Sequence, residues 1–192
     1  MSVLMKYNYR EGLIAMYNKH NKPQNIKIRT LVSPGMSYLA LSYFGQYLTL
    51  KLVPYIGKDA VGRDQYSKDK FISTTLSYEG AAYFYEVAVS IITGAETDKQ
   101  LPATLPCKRD ATLTLEYKPD ENNQLTAYLV GNKNGETITF IFKTRQIQKW
   151  LDDQPVTQVI QADLEEFAMV LYGYIQSSPY AEYLLKKATG VS

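Results

Sequence analysis

Phe71-Ile72-Ser73-Thr74-Thr75-Leu76-Ser77 opens directly onto an apolar pattern of helical period from Tyr78 to Ile92. Val159-Ile160-Gln161-Ala162-Asp163 does the same ahead of a second such pattern, from Leu164 to Ile175. Each is a strand end, a polar N-cap residue and an amphipathic helix. Setting Ser77 against Asp163, 86 positions apart, brings Ala82 onto Ala168 and Tyr85 onto Leu171. Several short alternating strands precede each helix. The chain therefore reads as α+β, two tandem antiparallel strand-strand-strand-strand-helix units. An N-terminal segment, 1–25, precedes a single domain, 26–192, whose units span 26–96 and 108–188 about a linker at 97–107. Such a unit makes a twisted sheet with helix on one face and the other face free.

The bulk numbers suit one compact domain: 192 residues, 45% of them hydrophobic, enough for a sizeable core. A formal charge of +2 excludes a polycation, but a local positive stripe depends only on where the charges sit. Seventeen tyrosines stand out against six phenylalanines and one tryptophan. Tyrosine offers a flat face for stacking and a polar tip that tolerates water. It is equally a favoured strand residue. Cys107 and His20 are the single members of their types, so a disulfide within the chain is excluded and no zinc site of the Cys/His kind is expected. No secretory signal or transit-peptide pattern opens the sequence, and no run approaches the ~20 apolar residues that span a bilayer. A soluble, cytoplasmic protein is the expectation.

Along the chain, Leu4 to His20 suggests a short helix weakened by Gly12. Ile26 to Val32 alternates, with Ile26, Ile28 and Thr30 expected on one face and Lys27 and Arg29 on the other. Tyr38 to Phe44 and Tyr47 to Tyr55 form a hairpin about Gly45-Gln46. Leu39, Leu41, Leu48, Leu50 and Leu52 turn inward, leaving Tyr38, Ala40, Ser42, Tyr47, Thr49, Lys51 and Val53 outward. Gly57 to Asp69 reads as a charged surface loop. In the second half, Thr112 to Lys118 alternates, and Leu125 to Val130 pairs with Thr137 to Lys143 across a turn containing Asn134-Gly135. Ile138, Phe140 and Phe142 face the core, so Thr139 and Lys143 face away. Arg145 to Gln154, with Trp150, is a connection without a clear pattern. Asp163 and Glu166 form an acidic variant of the capping box.

These residues carry a resemblance. The block from Gln46 to Gly94 resembles the first half of the Whirly proteins: hairpin strand, Val53-Pro54 bend, charged loop, Lys70-Phe71-Ile72-Ser73 and helix. Leu113-Thr114-Leu115-Glu116-Tyr117-Lys118-Pro119, Thr139-Phe140-Ile141-Phe142 and Ala162-Asp163-Leu164-Glu165-Glu166-Phe167-Ala168-Met169-Val170 are similar to the second half. The likeness runs from Ile26 to Leu185 and rests on order and pattern. Positive-cofactor-four coactivators are the single-unit relatives, in the single-stranded-DNA-binding transcriptional regulator fold. The Lys-Gly-Lys-Ala-Ala-Leu strand of plant Whirlies has no counterpart, nor has their transit peptide, which favours a bacterial, archaeal or viral setting. The resemblance implies a helix-joined homotetramer that binds single-stranded DNA with little sequence preference, in replication, recombination, repair or transcription.

The residues themselves agree in kind. Sequence-tolerant binding needs aromatic faces, at ~1–3 kcal/mol per stacked base, and cations that follow phosphates. Lys27, Arg29, Tyr38, Tyr47, Thr49 and Lys51 supply both in the first half, and Tyr128, Thr139 and Lys143 are their counterparts in the second. Each tyrosine has a rival role as a cross-strand packing partner, and each cation as a solvated surface charge. No phosphate-cradling glycine loop or dinucleotide fingerprint occurs, and nothing around His20 or Cys107 suggests an activated nucleophile. The expectation is a non-catalytic protein without cofactor or metal. RNA as the ligand, or a homo-oligomeric protein-interaction module, are the alternatives.

Overall fold

A computed structural model describes residues 25–33, 35–44, 47–94, 101–107, 110–151 and 154–177. The suggested helix from Leu4 to His20 lies outside them, as does the Gly45-Gln46 turn. The fold is α+β, with antiparallel pairing throughout. The first sheet joins β1 (Asn25–Ser33), β2 (Ser37–Phe44) and β3 (Tyr47–Lys58) in order. β3 outruns its neighbours: Leu48 to Leu52 pair with β5 (Ile72–Leu76), while its far end pairs with β4 (Asp64–Tyr66). The expected loop from Gly57 to Asp69 is therefore in part a hairpin. Helix α1 (Tyr78–Thr93) follows.

The second sheet runs β6 (Ala103–Pro106), β7 (Ala111–Pro119), β8 (Leu125–Lys133), β9 (Glu136–Ile141). β6 lies inside the stretch expected to be a linker. The β8–β9 turn places Asn134 and Gly135 at φ 51° and 80°, the paired positive values of a tight hairpin turn. Next, β10 (Arg145–Leu151) and β11 (Gln154–Ile160) pair only with each other before helix α2 (Ala162–Gln176). Val159-Ile160, expected as the fourth strand of a second sheet, belongs instead to this separate arm.

Burial decides the architecture. Leu39, Leu41, Leu48, Leu50 and Leu52 are essentially without exposed surface. Leucine is not among the preferred strand residues, but strand propensities span only ~1 kcal/mol. Burying each leucine contributes ~1.5–3 kcal/mol, so packing wins. These leucines share one core with Leu113, Leu129, Ile138, Phe140 and Phe142 of the second sheet and with both helices. Gly131 marks where the sheets approach closely: a Cβ there would come within 2.8 Å of the Leu52 side chain and 3.3 Å of Ile72. Ser37, fully buried, donates its hydroxyl to the Thr139 carbonyl at 2.6 Å across the same seam.

Helix α1 begins as expected, with the Ser77 hydroxyl accepting from the Gly80 N–H at 3.0 Å, and it ends at Gly94. Helix α2 does not. Its N-cap is Gln161, without a side-chain cap, and Asp163 reaches outward to Lys143. The carboxylate accepts the Lys143 N–H at 3.1 Å while the Asp163 N–H donates to the Lys143 carbonyl. The buried stripes of the helices match at an offset of 83, not 86: Ala81 with Leu164, Phe84 with Phe167, Ala88 with Leu171 and Ile91 with Tyr174. Tyr174 closes the core. It donates to the Leu76 carbonyl at 3.2 Å and stacks on Tyr78 with centroids 4.7 Å apart. Among the described residues no helix is long and apolar enough to cross a membrane.

Candidate functional site

Among the described residues both helices pack on the leucine side of the first sheet, so the positions opposite the leucines face away from them. Cross-strand register orders it into rungs. Phe44 pairs with Tyr47. Lys27, Ser42, Thr49 and Thr75 make the next rung, and Thr30, Ala40, Lys51 and Ser73 the one after. Val32, Tyr38 and Val53 follow, but Val53, expected outward by parity, is fully buried. Small half-buried residues thus line the middle of the face, with rings and cations about them. Phe44 is 50% exposed and Tyr47 46%. The Lys51 ammonium lies 4.0 Å from the centre of the Phe71 ring, and Phe71 is itself exposed. No carboxylate occupies these rungs. The face carries two lysines, and its local sign is positive although the chain is nearly neutral.

Five of the expected residues come together here: Lys27, Tyr38, Tyr47, Thr49 and Lys51. Tyr38 is the most committed to packing. The Tyr66 ring of β4 meets it edge-on at 5.0 Å and also meets Tyr55 at 6.0 Å. Burial pushes the Tyr66 phenol above its usual range. Arg29 is not on this face. A bulge between Lys27 and Arg29 puts Lys27 beside Ser42 but Arg29 beside Leu41, an inward position. Its guanidinium instead grips Glu166 of α2, Nε to Oε2 at 2.7 Å and Nη2 to Oε1 at 2.9 Å. That hydrogen bond, then the Glu166 charge, raises the Arg29 pKa further.

The second-half counterparts do not extend this surface. The two sheets share one core, so their outward faces lie on different sides of the molecule. Tyr128 has outward register opposite Glu116 and Ile141 but is only 8% exposed. The Lys118 ammonium covers its ring at 5.2 Å and also pairs with Glu116 at 2.6 Å, while the nearby charges of Asp120 and Glu121 make the surroundings of that ring unfavourable for phosphate. Thr139 is half-buried beside Val130. Lys143 lies past the end of β9, its backbone engaged by Asp163. Burial, as the first cause, raises the Asp163 pKa, against the hydrogen bond and charge of Lys143.

Phe44 and Phe71 escaped the sequence reading. Phe44 shares the parity of Tyr38, Ala40 and Ser42, a signal that was present. Phe71 precedes its strand, and nothing in the alternation singles it out. Trp150, 73% exposed, stands on the β10–β11 arm.

No family model, curated protein or solved structure matches this chain.

Proposed function

We propose that the outward face of the first sheet binds single-stranded DNA with little sequence preference. In this reading the chain is a non-catalytic strand-coating protein of replication, recombination, repair or transcription. Its two halves are divergent copies of the Whirly-type strand-and-helix unit. One observation carries the proposal: consecutive rungs present Phe44, Tyr47, Lys27 and Lys51 around small residues, with no carboxylate among them. Bases stack on the rings, at ~1–3 kcal/mol each, and phosphates follow the lysines. Small central residues let a flat base approach the backbone.

Anisotropy with a labelled 30-nucleotide strand tests it. Two phosphate contacts give log affinity a slope near −1.4 against log salt, from about 0.7 per contact on a single strand. Absence of binding to DNA at low salt removes the proposal, and preferential binding of an equal-length RNA moves it to that ligand. Assembly into a homo-oligomer, with a tetramer favoured, is proposed from the helix pair. Met169 is 73% exposed and Tyr172 49%, on the side of α2 away from the core.

A further inference from the structure

We propose that the cleft at the Tyr47 end of this face is a pocket for one nucleobase. The inference rests on the single-strand reading above and adds where a base leaves the stack. The cleft holds about 430 Å³, within the ~300–1,000 Å³ typical of small-ligand sites. Leu76, Leu105, Pro106 and Gly80 give it an apolar lining, and Tyr47 borders it. Gly80 is part of its construction. A Cβ there would press on Leu105 and the Ser77 hydroxyl, each at 3.3 Å, so the bare backbone lets β6 close one side against α1.

Chemistry selects the base over the phosphate. Glu79, in the first turn of α1, also lines the cleft, and its carboxylate repels an anion and offsets the positive end of the helix. The same carboxylate accepts from the amino or imino N–H groups that every base carries. The Thr75 and Ser77 hydroxyls add polar partners for a ring edge. A flat ring with apolar faces and a polar rim fits this combination, and a phosphate does not. Lys51 lies four residues from Tyr47 along β3, about 13 Å at strand rise. A strand can thus place a base in the cleft while its phosphates reach the lysine.

The chain carries its own reporter. Cys107, its one cysteine, lines the cleft and is half-buried, with its thiol directed to the Leu105 carbonyl at 3.6 Å. Burial raises its pKa, so alkylation is slow and measurable. Iodoacetamide labelling of the full chain is followed by mass with no strand, with saturating (dT)20, and with a 20-unit tetrahydrofuran abasic strand. Anisotropy on the same samples verifies occupancy. The expected result is at least fivefold slower labelling with (dT)20 and no change with the abasic strand. Pro106→Trp, which crowds the cleft from β6 and lies on none of the face rungs, lowers (dT)20 affinity about tenfold and spares abasic binding. If (dT)20 binds while labelling is unchanged, or if the abasic strand protects equally, the pocket is overturned and the sheet-face proposal stands. If neither strand binds, both fall.

Discussion

Arg29 of β1 and Glu166 of α2 join in two near-parallel hydrogen bonds, across 137 positions of sequence. The pair clasps the first strand to the last described helix, and it takes Arg29 out of the candidate binding surface. Both side chains remain substantially open to water, so screening limits what the clasp adds to stability.

Arg29→Ala is therefore expected to leave single-strand affinity and its salt slope unchanged. Lys27→Ala should weaken binding uniformly across sequences and flatten the slope by about 0.7. An affinity loss for Arg29→Ala equal to that for Lys27→Ala, in salt titrations at matched temperature, would overturn the division of labour between the two cations.

Lys51 and Phe71 act as a unit, the ammonium resting on the ring. Lys51→Ala removes the cation and uncovers the ring; Phe71→Ala removes a stacking platform. Each is expected to cost ~1–3 kcal/mol of binding, with the double variant losing less than the sum of the two. A double-mutant cycle read by anisotropy checks this, and strict additivity would argue against coupling.

Gly131→Val is expected to destabilise the fold by ~1–3 kcal/mol, because the added methyls press on Leu52 and Ile72 where the sheets meet. Urea unfolding provides the measurement. An unchanged midpoint would mean that the seam yields at no cost.

Burial raises the phenol pKa of Tyr66, Tyr78, Tyr128 and Tyr174, the last most strongly. The protonated form is favoured in the folded chain. The resulting stability is fully present below the ordinary value of 10.0 and is lost as pH climbs through the raised values. The urea midpoint should fall between pH 10 and 12, with a group of phenolate signals appearing late. Titration of all seventeen tyrosines together near their ordinary value would contradict the burial described.

Among the described residues the strands of the β10–β11 arm pair only with each other, and nearly all of their residues are exposed. A lone two-stranded hairpin is marginal in water. Its amides should exchange faster than those of β2 and β3, and Trp150, the chain's one tryptophan, should be quenched by acrylamide almost as freely as a free indole. Strong protection of either would place the arm against a surface.

What was legible followed from period. Alternation found the inward leucines, Phe140 and Phe142, and helical spacing found Ala81, Phe84, Leu164 and Phe167. What failed was local exception. One extra residue in β1 reverses parity between Lys27 and Arg29, and no propensity marks it. Tyr128 has the outward parity assigned to it, yet a neighbouring lysine stem covers its ring. Asp163 and Glu166 match a capping box in spacing, but better partners at Lys143 and Arg29 draw both carboxylates away. The arm was missed because its apolar residues fall on both faces, which erases the alternation that identifies a half-buried strand.

The common core of the two sheets has a consequence for the chain as a physical object. A fragment stopping after Gly94 would leave Leu52 and Ile72 bare where Gly131 and its neighbours now rest, and its complement would bare Ile138 and Phe140. Each piece would then be half of a lock and insoluble without its fellow. Expressed side by side, the two should find one another and reconstitute the whole, which makes this seam a natural place to divide the protein into a two-part sensor.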